Sequence, residues 1–496
     1  MTIQIPDQVI IHNTKSDPKN NIEQPKGLYL LFFTELWERF GFYTLQTILI
    51  LYMTKGLHLP DGHANLLYAT FGALLYITPM MGGFIADRYL GFQRSILLGG
   101  GLFIAAYLIC ASSNTTLFFI GLSLLICANG FFKPNVSGIV GELYQKNDPR
   151  RDGGFTLFYM GINIGALIPP LIAGVLVTKY GWHSGFLAAA IGMAIGQVTF
   201  IYGKKSLGTA GFTPKYNHQH TPTLKFYALL VTGLVGFVGL CQLAFTYPET
   251  TNYIVEATAV ILLGVVLFFL MKEAPIQRRK MIASLILILI SVAFWSLYNQ
   301  TFTSLMLFAD RNMDRHILGL PLDAEATQFF NPFFIITLSP LLSRFWIRLD
   351  RVGLNPSTQI KFSLGVLFMC LGYFILGIGA HFYGHNGATS SWWLCGSYFL
   401  QTIGELLISP IGLAMITVLC PKHLIGMMMG VWFFSQAASF AIGGFLANIA
   451  AVPTTLNAAA SLPIYSHAFM IYGLIALAMT LISFSLVPLI NRMVKE

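Results

Sequence analysis

The stretch FYMGINIGALIPPLIAG, residues 158–174, is apolar, punctuated by glycine and interrupted by a proline pair. A second stretch, MMMGVWFFSQAASFAIGG at 427–444, repeats its spacing: Gly161 and Gly174 lie thirteen residues apart, as do Gly430 and Gly443. Two further echoes accompany it. YITPMMGG at 76–83 matches IITLSPLLS at 335–343, with Pro79 opposite Pro340, and FFKPN at 131–135 matches LISPI at 407–411. Each match is weak by itself, but together they pair three apolar segments of one set with three of another.

Composition sets the solvent in which these segments live. Of 496 residues 55% are hydrophobic and 10% charged, against about 25% charged in an ordinary soluble domain. Runs of the roughly 20 residues needed to cross a bilayer recur along the chain. They fall near 28–54, 64–87, 95–112, 116–142, 154–178, 184–203, 224–246, 252–271, 282–309, 326–347, 360–382, 391–420, 424–450 and 466–489. The repeats assign twelve of these to two six-helix sets and leave the pair at 224–271 as an insertion. The expected division is a polar tail at 1–27, a first bundle at 28–205, a linker with two inserted helices at 206–281, a second bundle at 282–489 and a short tail at 490–496. The fold class is all-α integral membrane, with two six-helix bundles around a midplane cavity, which is the major facilitator arrangement. The loop GGFIADRYLGFQR resembles that superfamily's glycine-and-charge signature.

Lys and Arg cluster in alternate connections: DRYLGFQR at 87–94, QKNDPRR at 145–151, Lys204 to Lys225, KEAPIQRRK at 272–280, Arg344 to Lys361, and Lys422. The other connections, such as SSNTT at 112–116 and GHNGATS at 384–390, are nearly free of them. Positive-inside counting therefore predicts both termini in the cytoplasm. No signal peptide is apparent in the polar segment before Leu28. One connection is ambiguous, FADRNMDRH at 308–316, where aspartates balance arginines. The net charge of +9 belongs to the cytoplasmic face beside anionic lipid, and gives no reason to expect nucleic acid. All six cysteines lie in or at the edge of spans without paired spacing, which implies neither disulfides nor a metal site.

Within the first span the chain reads TELWERFGFY at 34–43. Glu35, Glu38, Arg39, Tyr43 and Gln46 follow spacings of three and four and so form one stripe. Lipid cannot host such a stripe, so it is expected to face the cavity. Lys133, directly before Pro134, and Glu405, five residues before Pro410, sit on the fourth and tenth bundle helices. If those helices are symmetry mates, an ammonium and a carboxylate reach the cavity from opposite halves, and the prolines permit bending. Ionisable groups could merely staple helices, but five across three helices point to function. Trp295, Tyr298 and Trp432 read on spacing alone as packing.

ELWERF, FYMGINIGALIPP and GELLISPIGL together resemble the signature segments of the proton-dependent oligopeptide transporter family. The resemblance runs from the first span to the last and includes the two-helix insertion. It implies a bacterial inner-membrane, multi-pass, monomeric symporter that imports di- and tripeptides with protons, without any cofactor. It places Glu35, Glu38 and Arg39 in the family's ExxER proton-coupling motif, and matches Lys133 and Glu405 to its fourth-helix lysine and tenth-helix glutamate. Tyr43, Tyr76, Tyr159, Asn163, Asn331, Ser409 and Trp432 then fall at pocket positions, and Trp295 and Tyr298 of AFWSLYNQ align with pocket aromatics. Proton binding to the stripe is expected to release a basic partner, as a coupled set, while substrate at Glu405 biases the same rocking.

Two departures stand out. The family's arginine seven residues after the ExxER arginine is Gln46 here, and the seventh-helix acid able to pair with it is Asn299. Removing one partner of a buried ion pair strands a charge, whereas neutralising both is nearly free. The pair therefore reads as a coherent variant of the carboxylate end of the pocket. The same fold could carry another amine-bearing solute, such as an amino acid or peptide-like drug. A membrane receptor leaves the charged cavity unexplained. An enzyme is poorly supported, since no metal-ligand cluster, nucleophile–base pair or phosphate loop is present, and His183, His316 and His467 lie near span ends.

Overall fold

A computed structural model of the chain describes residues 23–145, 148–212, 223–384 and 386–495, without the side chains of 410–414, 417, 422 and 495. Most of the expected polar N-terminal tail, and the bend proposed at Pro410, lie outside what is described.

The first half comprises α1 (Lys26–Leu51), α2 (Asp61–Ile85), α3 (Phe92–Cys110), α4 (Thr115–Glu142), α5 (Arg151–Leu167), α6 (Pro169–Tyr180) and α7 (Trp182–Gly203). Two helices follow, α8 (Leu224–Thr246) and α9 (Pro248–Met271). The second half comprises α10 (Pro275–Tyr298), α11 (Ser304–Asn312), α12 (Phe330–Arg351), α13 (Thr358–Phe382), α14 (Ser391–Leu419), α15 (Ile425–Ala447) and α16 (Ala458–Lys495). A short antiparallel hairpin, β1 (His316–Ile317) with β2 (Leu320–Pro321), joins α11 to α12. Among the described residues twelve helical segments are long and apolar enough to cross a membrane. The charge-bearing α1 and the partly described α14 have similar lengths, which makes fourteen crossings.

Each half is a bundle. In the first, α1 packs on α5 and α7, and α4 on α2 and α3; in the second, α13 packs on α14 and α16, and α10 on α14, α15 and α16. The halves meet along α2 and α15, where the Tyr76 and Phe440 rings lie 5.4 Å apart. Helices α8 and α9 lie outside the bundles, α8 on α4 and α9 across α2 and α15, with most of their surface turned outward.

Close helix approach in lipid depends on small residues, because no hydrophobic force drives the contact. At the α2–α4 crossing a Cβ on Gly82 would collide with the Gly130 carbonyl. On α5, Gly161 and Gly165 form a G-x-x-x-G face against α1, where side chains would meet the Phe32 and Leu36 carbonyls.

Two crossings expected to be continuous are broken. The fifth divides at Ile168 because Pro169 has no N–H for the preceding turn. The ninth becomes a 3-10 turn at Asn299–Phe302 with neither Pro nor Gly in it. There the carbonyls freed from the helix are taken up by neighbours: Tyr373 donates to Leu297 at 2.7 Å and Gln328 to Thr301 at 2.5 Å. Gln300 crosses to α15, donating to the Gly443 carbonyl at 2.8 Å. The last helix starts at Ala458 rather than near 466 and runs 38 residues, about 57 Å at 1.5 Å per residue.

The ambiguous segment 308–316 is where the halves are tied together. Arg311 forms a two-bonded pair with Asp61, at 2.5 and 2.7 Å, and Asp61 also accepts from the Val452 backbone N–H at 3.0 Å. Beside it Lys55 meets Asp310 at 2.5 Å. These charges balance because they pair across the bundles, and they close the end beyond the C-terminus of α1. Among the described residues, no ion pair joins the halves at the opposite end, where α1 begins and α16 ends.

Candidate functional site

Between the halves lies a cavity of about 1430 Å³, its open mouth included. Its first-half wall begins with α1. Glu35, Arg39, Tyr43 and Gln46 line the cavity at the three- and four-residue spacing of one helix face. Glu38 does not line it. Completely buried, it grips Arg39 from the adjacent position, through Nε and, at 2.6 Å, through Nη2. Glu35 completes the cluster from 3.4 Å, and the guanidinium lies 4.9 Å from the Phe42 ring centroid.

Helices α2 and α4 contribute Tyr76 and Lys133. The Gly82–Gly130 contact draws these helices together, and the Lys133 ammonium sits 5.1 Å from the Tyr76 ring centroid. No carboxylate lies within ion-pair distance of Lys133 among the described residues. Glu35, Glu38, Arg39 and Lys133 nevertheless sum to zero formal charge. Helix α5, held by its glycine face, presents Tyr159 and Asn163 to the cavity.

The second-half wall is mostly neutral. From α12 Asn331 donates to the Glu405 carboxylate of α14 at 2.7 Å, and the Tyr298 hydroxyl sits against the same group. Trp295, Asn299 and Ser409 also line the cavity. Glu405 has no basic partner within ion-pair distance among the described residues. Three buried donors on this side, Trp295 Nε1, Asn299 Nδ2 and Gln436 Nε2, have no hydrogen-bond acceptor among the described residues. An ungratified donor in a low-dielectric site is costly, and so is available to a polar ligand. Gln46 donates to the Tyr68 hydroxyl at 3.0 Å.

Of the residues singled out in the sequence, only Glu38 and Trp432 are not part of this lining. The Trp432 indole is packed in the core cluster, the placement its spacing alone suggested. Sequence reasoning missed Tyr68, Phe302, Gln328, Gln436 and Phe440, all in the lining. Tyr68 was accessible to it: it lies two turns before Tyr76 on one face of α2. The others depend on how α10 breaks and how α15 meets α2, which no spacing reveals.

Two helical bundles, tied by ion pairs at one end and enclosing a cavity with ionisable groups at mid-depth, define a multi-pass membrane transporter of the major facilitator type. The chain belongs to the POT family (PTR2), whose family profile matches residues 92–463. It is 37% identical to dipeptide and tripeptide permease A of Salmonella typhi, over 97% of this chain and 96% of that protein. With dipeptide and tripeptide permease A of Escherichia coli K12 the identity is 36%, over 97% and 96%. A solved structure of peptide transporter POT in complex with alafosfalin superposes with a TM-score of 0.83 at 34% identity, covering 97% of this chain and 98% of that one. Tetrameric PepTSo2 superposes equally well, at 0.83 and 31% identity, covering 94% and 99%.

Proposed function

We propose that this chain is a proton-coupled symporter that imports di- and tripeptides across the bacterial inner membrane by alternating access. One observation carries the reading: Glu405 and Lys133, from opposite halves, face one cavity, and neither has an ion-pair partner among the described residues. A zwitterionic peptide supplies both missing charges, its ammonium to Glu405 and its carboxylate towards Lys133. Charge-assisted hydrogen bonds of this kind are about twice as strong as neutral ones. The names of the related permeases support the substrate class, and the family supports the proton.

Proton coupling falls to the Glu35–Glu38–Arg39 cluster with Lys133. Protonating one carboxylate removes its hold on Arg39 and leaves the cluster with a net positive charge, which a substrate carboxylate can offset. The ion pairs closing the α11 end must part when the cavity opens there, and the prolines at Pro79, Pro134 and Pro340 lie inside the helices that move. Both termini then belong on the cytoplasmic side by the positive-inside count of the connections.

The carboxylate end is a variant. Gln46 and Asn299 offer neutral amides, so a second reading on the same fold is a carrier of another amine-bearing solute with less need of a carboxylate. Proteoliposomes containing only this chain decide between them. Under an inward proton gradient a dipeptide should accumulate above its equilibrium level and cease to do so with a protonophore. Failure with dipeptides, together with accumulation of an amine, selects the second reading; failure with both overturns transport by this chain alone.

A further inference from the structure

Away from the central cavity, α9 carries an acid whose position calls for a function. Glu256 lies eight residues from the helix start at Pro248, about 12 Å along the axis, and so within the membrane-spanning part. It is half-buried, and among the described residues its carboxylate has neither a hydrogen bond nor an ion pair. Ionisable groups within membrane spans are rare, and normally face a partner or a pathway. Glu256 has neither, and it lies off the route through the bundles.

It faces a groove instead. Helices α9, α10 and α15 enclose about 990 Å³, the open side included, lined by Glu256, Val260, Leu263, Leu289, Phe434 and Ser435 among others. The lining is apolar apart from Glu256 and Ser435, and the Ser435 hydroxyl is already committed, donating to the Trp432 carbonyl at 2.7 Å. Val260 and Leu289 are 70% and 51% exposed, so the groove opens sideways to the hydrocarbon. Its charge, its polarity and its entrance specify one occupant.

We propose that this groove binds a lipophilic cation drawn from the bilayer: an alkyl- or arylalkylamine, with its ammonium on Glu256 and its body along Leu289 and Phe434. A neutral lipid chain could fill the apolar part but would leave the carboxylate unmatched. A phospholipid phosphate would bring a second negative charge to it. The site is separate from the central cavity, yet the occupant touches α10 and α15, the helices that also present Trp295 and Gln436 to that cavity. The proposal stands whether or not peptides are the transported solute.

The test uses the full chain in nanodiscs of uncharged phosphatidylcholine lipid. A dodecylamine and a dodecanol, each bearing the same diazirine near the tail, are photolysed in turn, and adducts are located by mass spectrometry. The amine should label α9, α10 and α15 around Leu289 and Phe434 about tenfold more than the alcohol, since a charge-assisted bond replaces a neutral one. Glu256→Gln should lower amine labelling to the level of the alcohol, and Glu256→Asp should retain most of it. Equal labelling of the wild type by both probes shows a groove that takes any acyl chain, and overturns the proposal. So does amine labelling unchanged by Glu256→Gln. Should that substitution lower the unfolding midpoint, the comparison of amine with alcohol on the wild type decides alone.

Discussion

Asn331 gives its amide N–H to the Glu405 carboxylate at 2.7 Å, so this acid is held in place by a neutral neighbour, and among the described residues no basic side chain competes with a ligand for it. Replacing Glu405 by Gln retains the shape and removes the charge. A charge-assisted hydrogen bond contributes about 1.5–3 kcal/mol, so dipeptide binding should weaken roughly ten- to hundredfold. N-acetylated dipeptides, which lack the cation, should bind poorly to the wild type and lose little more in the variant. Ligand-induced shifts of the unfolding midpoint measure both, and equal losses for the two ligands would exclude Glu405 as the amine anchor.

On the proposed coupling, Glu38 and Lys133 serve the proton rather than the peptide amine. Glu38 holds Arg39 through two contacts, and Lys133 has no carboxylate within ion-pair distance among the described residues. Glu38→Gln or Lys133→Ala should abolish uphill uptake driven by a proton gradient, while folded protein remains in the membrane. Counterflow exchange, which needs no net proton movement, should persist in Glu38→Gln. Wild-type uphill accumulation in either variant removes that residue from the coupling.

Gln46 and Asn299 set the expectation for the carboxylate. An arginine fork grips a carboxylate through two charged bonds, whereas an amide offers neutral donors, and one donor of Gln46 already serves Tyr68 at 3.0 Å. With Lys133 rather than an arginine fork facing it, the carboxylate should add no more than about tenfold, so C-terminally amidated dipeptides should compete for uptake within about tenfold of free-acid ones. Gln46→Arg together with Asn299→Glu should sharpen the preference for a free carboxylate. Gln46→Arg alone should fold or transport less well, because the new charge lacks its acid. An amide at least about a hundredfold weaker than the acid on the wild type, some 2.7 kcal/mol, shows a carboxylate gripped as firmly as by a fork and overturns this expectation.

Packing makes its own demand at Gly165. A Cβ there would collide with the Leu36 carbonyl of α1, and overpacking typically costs about 1–3 kcal/mol. Gly165→Val should lower the unfolding midpoint and impair uptake, because α5 carries Tyr159 and Asn163 away with it. Gly233→Ala, at a position with nothing within 4 Å of the added atom, serves as the control and should leave both unchanged.

Much of this was legible because a bilayer imposes simple rules. Apolar length gives the crossings, and the glycine and proline echoes give the two halves. A charged stripe that lipid cannot accept points α1 at the cavity. What stayed hidden depends on tertiary partners. The α10 break at Asn299–Phe302 has no local breaker and is maintained by Gln328 and Tyr373 from outside the turn and by Gln300 reaching from within it to α15. Gln436 and Phe440 enter the cavity only because α15 crosses to α2. Trp432, four residues before Gln436, shows how narrow the margin is: the resemblance puts it at the pocket, and the structure packs it behind the lining.

The glycine face of α5 also fixes which part of the cavity can adjust. With Gly161 and Gly165 seated on α1, the groups at Glu35, Arg39, Tyr159 and Asn163 behave as one jaw of a caliper whose spacing does not change. The opposing jaw is carried by α10, whose interrupted turn is stapled through Gln300 to α15. Ligands of different length should therefore be accommodated by displacement of the second half. Spectroscopic distances within the first set should stay constant when a dipeptide is exchanged for a tripeptide, while the span from Lys133 to Glu405 lengthens.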